Sequence, residues 1–176
     1  MQRATNPAEV SKTLRASGAK FIAIDGTDGS GKSTLASDLG KSLNVKVLHL
    51  DDFIAKGRGH YLTAIDHTAI QRALANSTSW IVEGVSILQV LEAIDVKPDA
   101  LVYIKRMSHG LWSDKDELDP AVPIEEHLAG LRALVSALAQ ALGESGELGL
   151  AEEVIRYHAA YRPHLKATLE YIRTDA

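Results

Sequence analysis

Residues 21–36 read FIAIDGTDGSGKSTLA, and this stretch constrains the fold of the chain more than any other. FIAID is a short, largely apolar run, the composition of a strand covered on both faces. Glycines follow at positions 26, 29 and 31, then Lys32, Ser33 and a segment able to continue as a helix. Gly26 to Ser33 fits G-x-x-x-x-G-K-[ST] at every fixed position. The glycines let successive backbone N–H groups turn inward to form a nest for oxyanions, and the helix N-terminus adds positive partial charge. Lys32 has the reach for the outer phosphates of a nucleotide, and the Ser33 hydroxyl suits Mg²⁺. The loop therefore predicts a site for Mg²⁺ with ATP or another nucleoside triphosphate. Its contact set is Gly26, Thr27, Asp28, Gly29, Ser30, Gly31, Lys32, Ser33 and Thr34.

Strands and helices alternate along the rest of the chain. AEVSKTLRAS (8–17) predicts a helix that Gly18 stops, and VKVLHL (45–50), SWIVEG (79–84) and ALVYIK (100–105) predict strands. Helices are expected from Gly31 or Lys32 to about Leu43, from His67 to Ala75, and over SILQVLEAI (86–94). In IEEHLAGLRALVSALAQAL, Ile124, Leu128, Leu131, Val135, Leu138 and Leu142 recur at spacings of three and four, which predicts a long helix with one apolar face. AEEVIRYHAAY predicts another that Pro163 ends or kinks, and TLEYIR (168–173) a fifth strand at the sheet edge. The pattern implies a three-layer αβα domain of the P-loop NTPase kind, with a mostly parallel sheet of about five strands. A length of 176 residues favours one domain. Residues 106–120 lack a clear period and read as a loop or mobile flap.

Composition narrows the function classes. A net charge of −4 with both signs interspersed argues against a nucleic-acid groove. The absence of cysteine excludes disulfides and thiolate metal sites, and the scattered histidines form no HxxxH or HExxH pair. No apolar run is long enough to span a bilayer, and MQRATNPAEV lacks the apolar core of a signal peptide, so a soluble, cytoplasmic protein is expected.

Ligands of an open parallel sheet gather beyond the C-terminal ends of its strands. Three expected strand ends carry carboxylates: Asp25-Gly26, Asp51-Asp52 and Glu83-Gly84. A carboxylate there can take a proton from an attacking hydroxyl or hold Mg²⁺ through its waters. Asp51 and Asp52 suit a turn or helix cap equally, as does Asp66 before the helix at His67. Phe53 and Tyr61 suit either an acceptor pocket or the core. Trp80 and Trp112 read as packing, and Arg156 and Arg162 as solvent-facing, with contact to the nucleotide as the alternative for Arg162.

AIDGTDGSGKSTLA, HLDDF (49–53), AIDHTAI (64–70), WIVEG (80–84) and RYHAAYRPH (156–164) together resemble the uridine kinase and nicotinamide riboside kinase group of phosphate-loop kinases. More distantly they are similar to pantothenate kinase and phosphoribulokinase. The resemblance implies that Asp51 is the base toward the accepting hydroxyl, with Asp52 beside it. It implies that Asp66 and His67 lie near the acceptor's ribose, and that Glu83 lies near the metal with Ser33 and Asp51. Asp52, Phe53, Tyr61, Asp66 and His67 then form the expected acceptor side. The group's Asp-His-Pro becomes Asp66-His67-Thr68 here, and its arginine-rich flap is reduced to Lys105, Arg106 and Lys115 among four carboxylates. Arg106 is the candidate for stabilising the γ-phosphate, alongside Lys32.

Three functions compete. The first is a kinase acting on a hydroxyl of a nucleoside or similar metabolite. The second is a nucleoside monophosphate kinase: TDGSGKST resembles the thymidylate kinase loop, but only Lys56 and Arg58 could bind an acceptor phosphate. The third is an accessory ATPase or switch without a small-molecule acceptor, although no NKxD-like tetrapeptide marks a guanine site.

Overall fold

Apolar alternation in two central strands decides the layering. In the computed structural model, which describes residues 1–55, 61–143 and 146–174, Phe21–Asp25 (β2) and Ala100–Ser108 (β5) pair in parallel at the middle of the sheet. Ile22, Ile24, Val102 and Ile104 face one side, against Val10 and Leu14 of helix Pro7–Ser17 (α1) and Leu35 and Leu39 of helix Lys32–Leu43 (α2). Ala23, Leu101 and Tyr103 face the other, against helices that include His67–Ala75 (α4) and Ile87–Ala93 (α5). Strands buried on both faces need a helical layer on each, and the αβα sandwich follows.

Lys46–His49 (β3) and Trp80–Glu83 (β4) extend the sheet on one side of β2, and Leu169–Thr174 (β7) and Gln2–Ala4 (β1) extend it beyond β5. Among the described residues the order is β1-β7-β5-β2-β4-β3, parallel throughout. A short strand, Leu111–Trp112 (β6), folds back antiparallel on the end of β5. Among the described residues the sheet thus has seven strands rather than about five, and β7 is internal rather than at the edge. The edge position belongs to β1, three residues with no hydrophobic period to announce them. Buried Glu170 of β7 binds Arg3 of β1 at 2.9 Å and Lys105 of β5 at 2.6 Å.

Residues 106–120 differ from the expected loop. Arg106–Ser108 prolong β5, His109 and Gly110 turn with φ of +50° and +79°, and β6 returns to a short helix, Lys115–Leu118 (α6). Two residues of positive φ make the turn that matches the twist of a hairpin. Trp112 stacks its edge on Tyr103, with ring centroids 6.2 Å apart, and Leu118 is buried.

Short helix Tyr61–Ala64 (α3) precedes α4, and Ile124–Leu142 (α7) and Leu150–Tyr161 (α8) form a helical cap over Val85, Leu118, Leu128, Val154 and Ile155. The apolar face expected along α7 is only partly covered. Leu128 is buried and Ile124, Leu131 and Val135 are half-buried, but Leu138 and Leu142 are exposed, as is Leu134. Its spacing was a helix signal, but the covering elements, α8 and the chain at Gly146, shelter only one side. α8 stops before Pro163, with Arg162 at φ +48°, and Pro163–Lys166 (α9) leads into β7.

Candidate functional site

The loop between β2 and α2 is held open by backbone geometry. Gly26 has φ +153°, and a Cβ there would lie 2.8 Å from Ser30 Oγ and 3.2 Å from the Ile104 carbonyl. Gly31, at φ +91°, is the N-cap of α2 and brings no capping side chain, so the first-turn N–H groups are directed at the loop without a side-chain partner from their cap. Within the loop, Ser30 N–H donates to the Thr27 carbonyl at 3.2 Å, and Lys32 Nζ donates to the same carbonyl at 2.7 Å. Lys32 is buried, and burial lowers its pKa, with the charge of Glu83 the largest effect in the other direction.

Three strand ends meet this loop. Ser33 Oγ donates to Glu83 Oε1 at 2.9 Å, and His49 Nδ1 lies 2.5 Å from the same oxygen. Asp51 stands on the 3₁₀ turn Leu50–Phe53 that follows β3, and Tyr61 OH donates to its Oδ1 at 3.1 Å. Burial, and then the Asp51 charge, raise the Tyr61 pKa, so the phenol stays a donor. Glu153 of α8 accepts from the N–H groups of Tyr61 and Leu62, each at 3.1 Å, and so fixes where α3 begins. Lys32, Ser33, Asp51, Tyr61, Glu83 and Arg173 share one cleft of about 610 Å³.

Asp25 lies beneath the loop rather than in the cleft. It is fully buried, accepts from Gly26 N–H at 2.8 Å and receives the hydroxyl of Tyr157, which itself accepts from Leu88 N–H at 3.2 Å. Burial pushes its carboxyl up to about 7. Nearby, His158 Nδ1 donates to the Val154 carbonyl at 2.8 Å, which leaves Nε2 to accept from Tyr103 OH at 3.0 Å. Burial takes this ring down to about 4.

The hairpin reaches the loop through Asp114. Its carboxylate pairs with the Arg106 guanidinium and accepts from Thr27 Oγ1 at 3.2 Å. Arg106 sits beside the loop, with a buried carboxylate as partner.

The acceptor-side residues divide. Tyr61 lines the cleft, whereas Asp52, Phe53, Asp66 and His67 are not among its described lining residues. Asp52 is exposed on its turn, and Phe53 packs against the apolar cluster of α4 and α5. Asp66 Oδ1 caps α4 by accepting from Ala69 N–H at 2.9 Å, and His67 is the first residue of that helix. Lys56 and Arg58 lie outside the described residues. Trp80 and Trp112 pack, and Arg156 pairs with Glu125 and Glu152 on the surface. Sequence reasoning gave no role to His49, Asp114, Tyr157 or Arg173. His49 and Arg173 carried a readable signal, because each stands at the end of a parallel strand.

The residues present fit a magnesium nucleotide. The uncapped helix start, buried Lys32, and buried Ser30 Oγ, which has no protein partner, are suited to phosphate oxygens. Ser33, Glu83 and Asp51 supply the one or two carboxylates and hydroxyl that Mg²⁺ takes beside phosphates and water. Among the described residues no three His, Asp or Glu side chains form a metal site by themselves.

No family model matches the chain, and no curated protein matches its sequence. A solved structure described as that of a possible uridine kinase from Bacillus stearothermophilus matches 94% of this chain and 96% of its own, with a TM-score of 0.55 and 17% identity. That likeness shows the fold, a three-layer αβα P-loop domain with a mostly parallel sheet. Among the described residues no helix is long and apolar enough to cross a membrane.

Proposed function

We propose that the chain is a kinase that uses Mg²⁺ and ATP to phosphorylate a hydroxyl of a small metabolite, a nucleoside or nucleoside-like compound. The observation that carries this reading is the position of Asp51. It opens onto the same cleft as Lys32 and the Ser33–Glu83 pair, with its carboxylate oriented by Tyr61. A carboxylate so oriented in the cleft of the phosphate loop is able to take the proton of an attacking hydroxyl. The fold match to a possible uridine kinase supports the nucleoside class of acceptor.

Bound Mg²⁺·ATP supplies the transferable phosphoryl group. Lys32 and Arg106 offset the charge that develops on it, and Ser33 with Glu83 holds the ligands on the metal side. Asp51 accepts the proton of the acceptor hydroxyl as its oxygen bonds to phosphorus and the bond to ADP breaks. Tyr61 keeps Asp51 aimed at that hydroxyl. No part of this scheme uses a nucleic acid or a membrane.

The test is an acceptor screen with Mg²⁺·ATP across nucleosides, nucleoside monophosphates, nicotinamide riboside, pantothenate and sugars. A nucleoside or related alcohol should stimulate ADP release, and Asp51→Asn should lower that turnover by about 10²- to 10⁴-fold with nucleotide affinity retained. Full turnover in Asp51→Asn would remove Asp51 as the base. Monophosphates outperforming every nucleoside would move the acceptor class.

A further inference from the structure

Strand periodicity puts two arginines side by side at the loop. On β5, Val102 and Ile104 face the α1–α2 layer, and Arg106 is next in that row. On β7, Leu169 and Tyr171 face the same layer, and Arg173 is next. Arg106 and Arg173 are direct partners in the parallel β5–β7 register. Like charges opposite one another on neighbouring strands are destabilising, so a sheet keeps such a pair where something else draws on both.

Both guanidinium groups lie against the glycines of the phosphate loop. Arg173 Nη1 donates to the Gly29 carbonyl at 3.3 Å, and a Cβ built on Gly31 would lie 2.7 Å from that same nitrogen. Arg106 Nη1 is 4.0 Å from the Cβ position of Gly29. The absence of a side chain at Gly31 thus admits Arg173 as well as the turn. Arg173 also lines the cleft that holds Lys32 and Ser33. Of the two, Arg173 is the one that lines this cleft among the described residues.

We propose that Arg173 is a phosphate-binding residue for the donor nucleotide, supplied by the last strand of the sheet, with Arg106 as its in-register neighbour. The inference rests on the nucleotide reading of the loop given above. It also accounts for the arginine-poor hairpin: the cation beside the phosphate chain comes from a strand end. The ligand chemistry is a polyphosphate, and the nucleobase is not part of it. An arginine fork provides charge-assisted, geometrically fixed hydrogen bonds to such oxygens.

The experiment is calorimetric titration of wild type, Arg173→Gln and Arg173→Lys with Mg²⁺·ATP and, separately, with Mg²⁺·tripolyphosphate, which has no base. The ligand-free melting temperature of each protein is measured alongside. Arg173→Gln should bind both ligands about 10- to 100-fold more weakly, and Arg173→Lys should fall between it and wild type. Unchanged tripolyphosphate affinity in Arg173→Gln would overturn the proposal, including the case where only ATP binding weakens, since Arg173 would then be contacting the base. Equal losses in Lys and Gln variants that also melt early would assign Arg173 to holding the loop and overturn the proposal. If wild type bound neither ligand, the nucleotide reading itself would fail, and this inference with it.

Discussion

Asp25 shows how one buried side chain links sequence, stability and site. It closes β2 directly before Gly26, and its burial raises the carboxyl to about 7. The folded protein holds this proton at pH values where the unfolded chain, near 3.8, has released it. Asp25 therefore contributes stability that is lost as pH rises from about 4 to about 7. His158 acts in the opposite sense, because its ring is kept neutral down to about 4 while the unfolded chain takes up a proton near 6.5. The two slopes oppose each other across that window. Urea unfolding at a series of pH values should therefore show the wild-type advantage over Asp25→Asn shrinking from pH 4 to 7, and a pH-independent difference would contradict this. A second prediction concerns Gly26. Alanine there meets Ser30 Oγ and the Ile104 carbonyl at a backbone angle that side chains rarely adopt. Gly26→Ala should cost about 1–3 kcal/mol in denaturant unfolding and remove thermal stabilisation by Mg²⁺·ATP. The glycine, Lys32 and Ser33 were legible because their chemistry is local. Tyr157 was not, since it reaches Asp25 from 132 residues away.

The elements divide by whether their signal is periodic or positional. β2, β4 and β5 announced themselves as apolar runs, and α2 followed from the loop. β1 did not, because three polar-to-small residues form a strand only when β7 offers an edge. The hairpin at 106–120 was hidden for a similar reason: its order comes from the His109-Gly110 turn, Trp112 on Tyr103 and Asp114 on Arg106, none of which makes a period. In α7 the period was real, but burial was not implied by it. The join of β1, β7 and β5 depends on Glu170, whose side chain is 0% exposed. Glu170→Ala should destabilise by about 3 kcal/mol because it leaves the Lys105 ammonium, only 18% exposed, without this partner. Arg3→Ala should change stability by less than about 1 kcal/mol, since the Arg3 side chain is 70% exposed. Chemical denaturation of the two variants separates these outcomes.

At the scale of the molecule, the parallel sheet gathers its chemistry at one rim. Asp51, Glu83, Arg106 and Arg173 come from the ends of four strands or the turns after them, and the β2–α2 loop lies among them. The rule that ligands collect beyond the carboxyl ends of such strands found the first two from sequence and, applied to β7, would have found Arg173. It could not find the acceptor side, because Phe53, Asp66 and His67 take packing, capping and helix-start positions that only the tertiary fold decides. The central claim is phosphoryl transfer from this rim to a hydroxyl. Phosphorus-31 NMR of a reaction with Mg²⁺·ATP and the best acceptor of the screen tests it directly. The account predicts one phosphate monoester formed for each ADP released, with both lost in Asp51→Asn. ADP accompanied only by inorganic phosphate, at a rate that no acceptor changes, would contradict it.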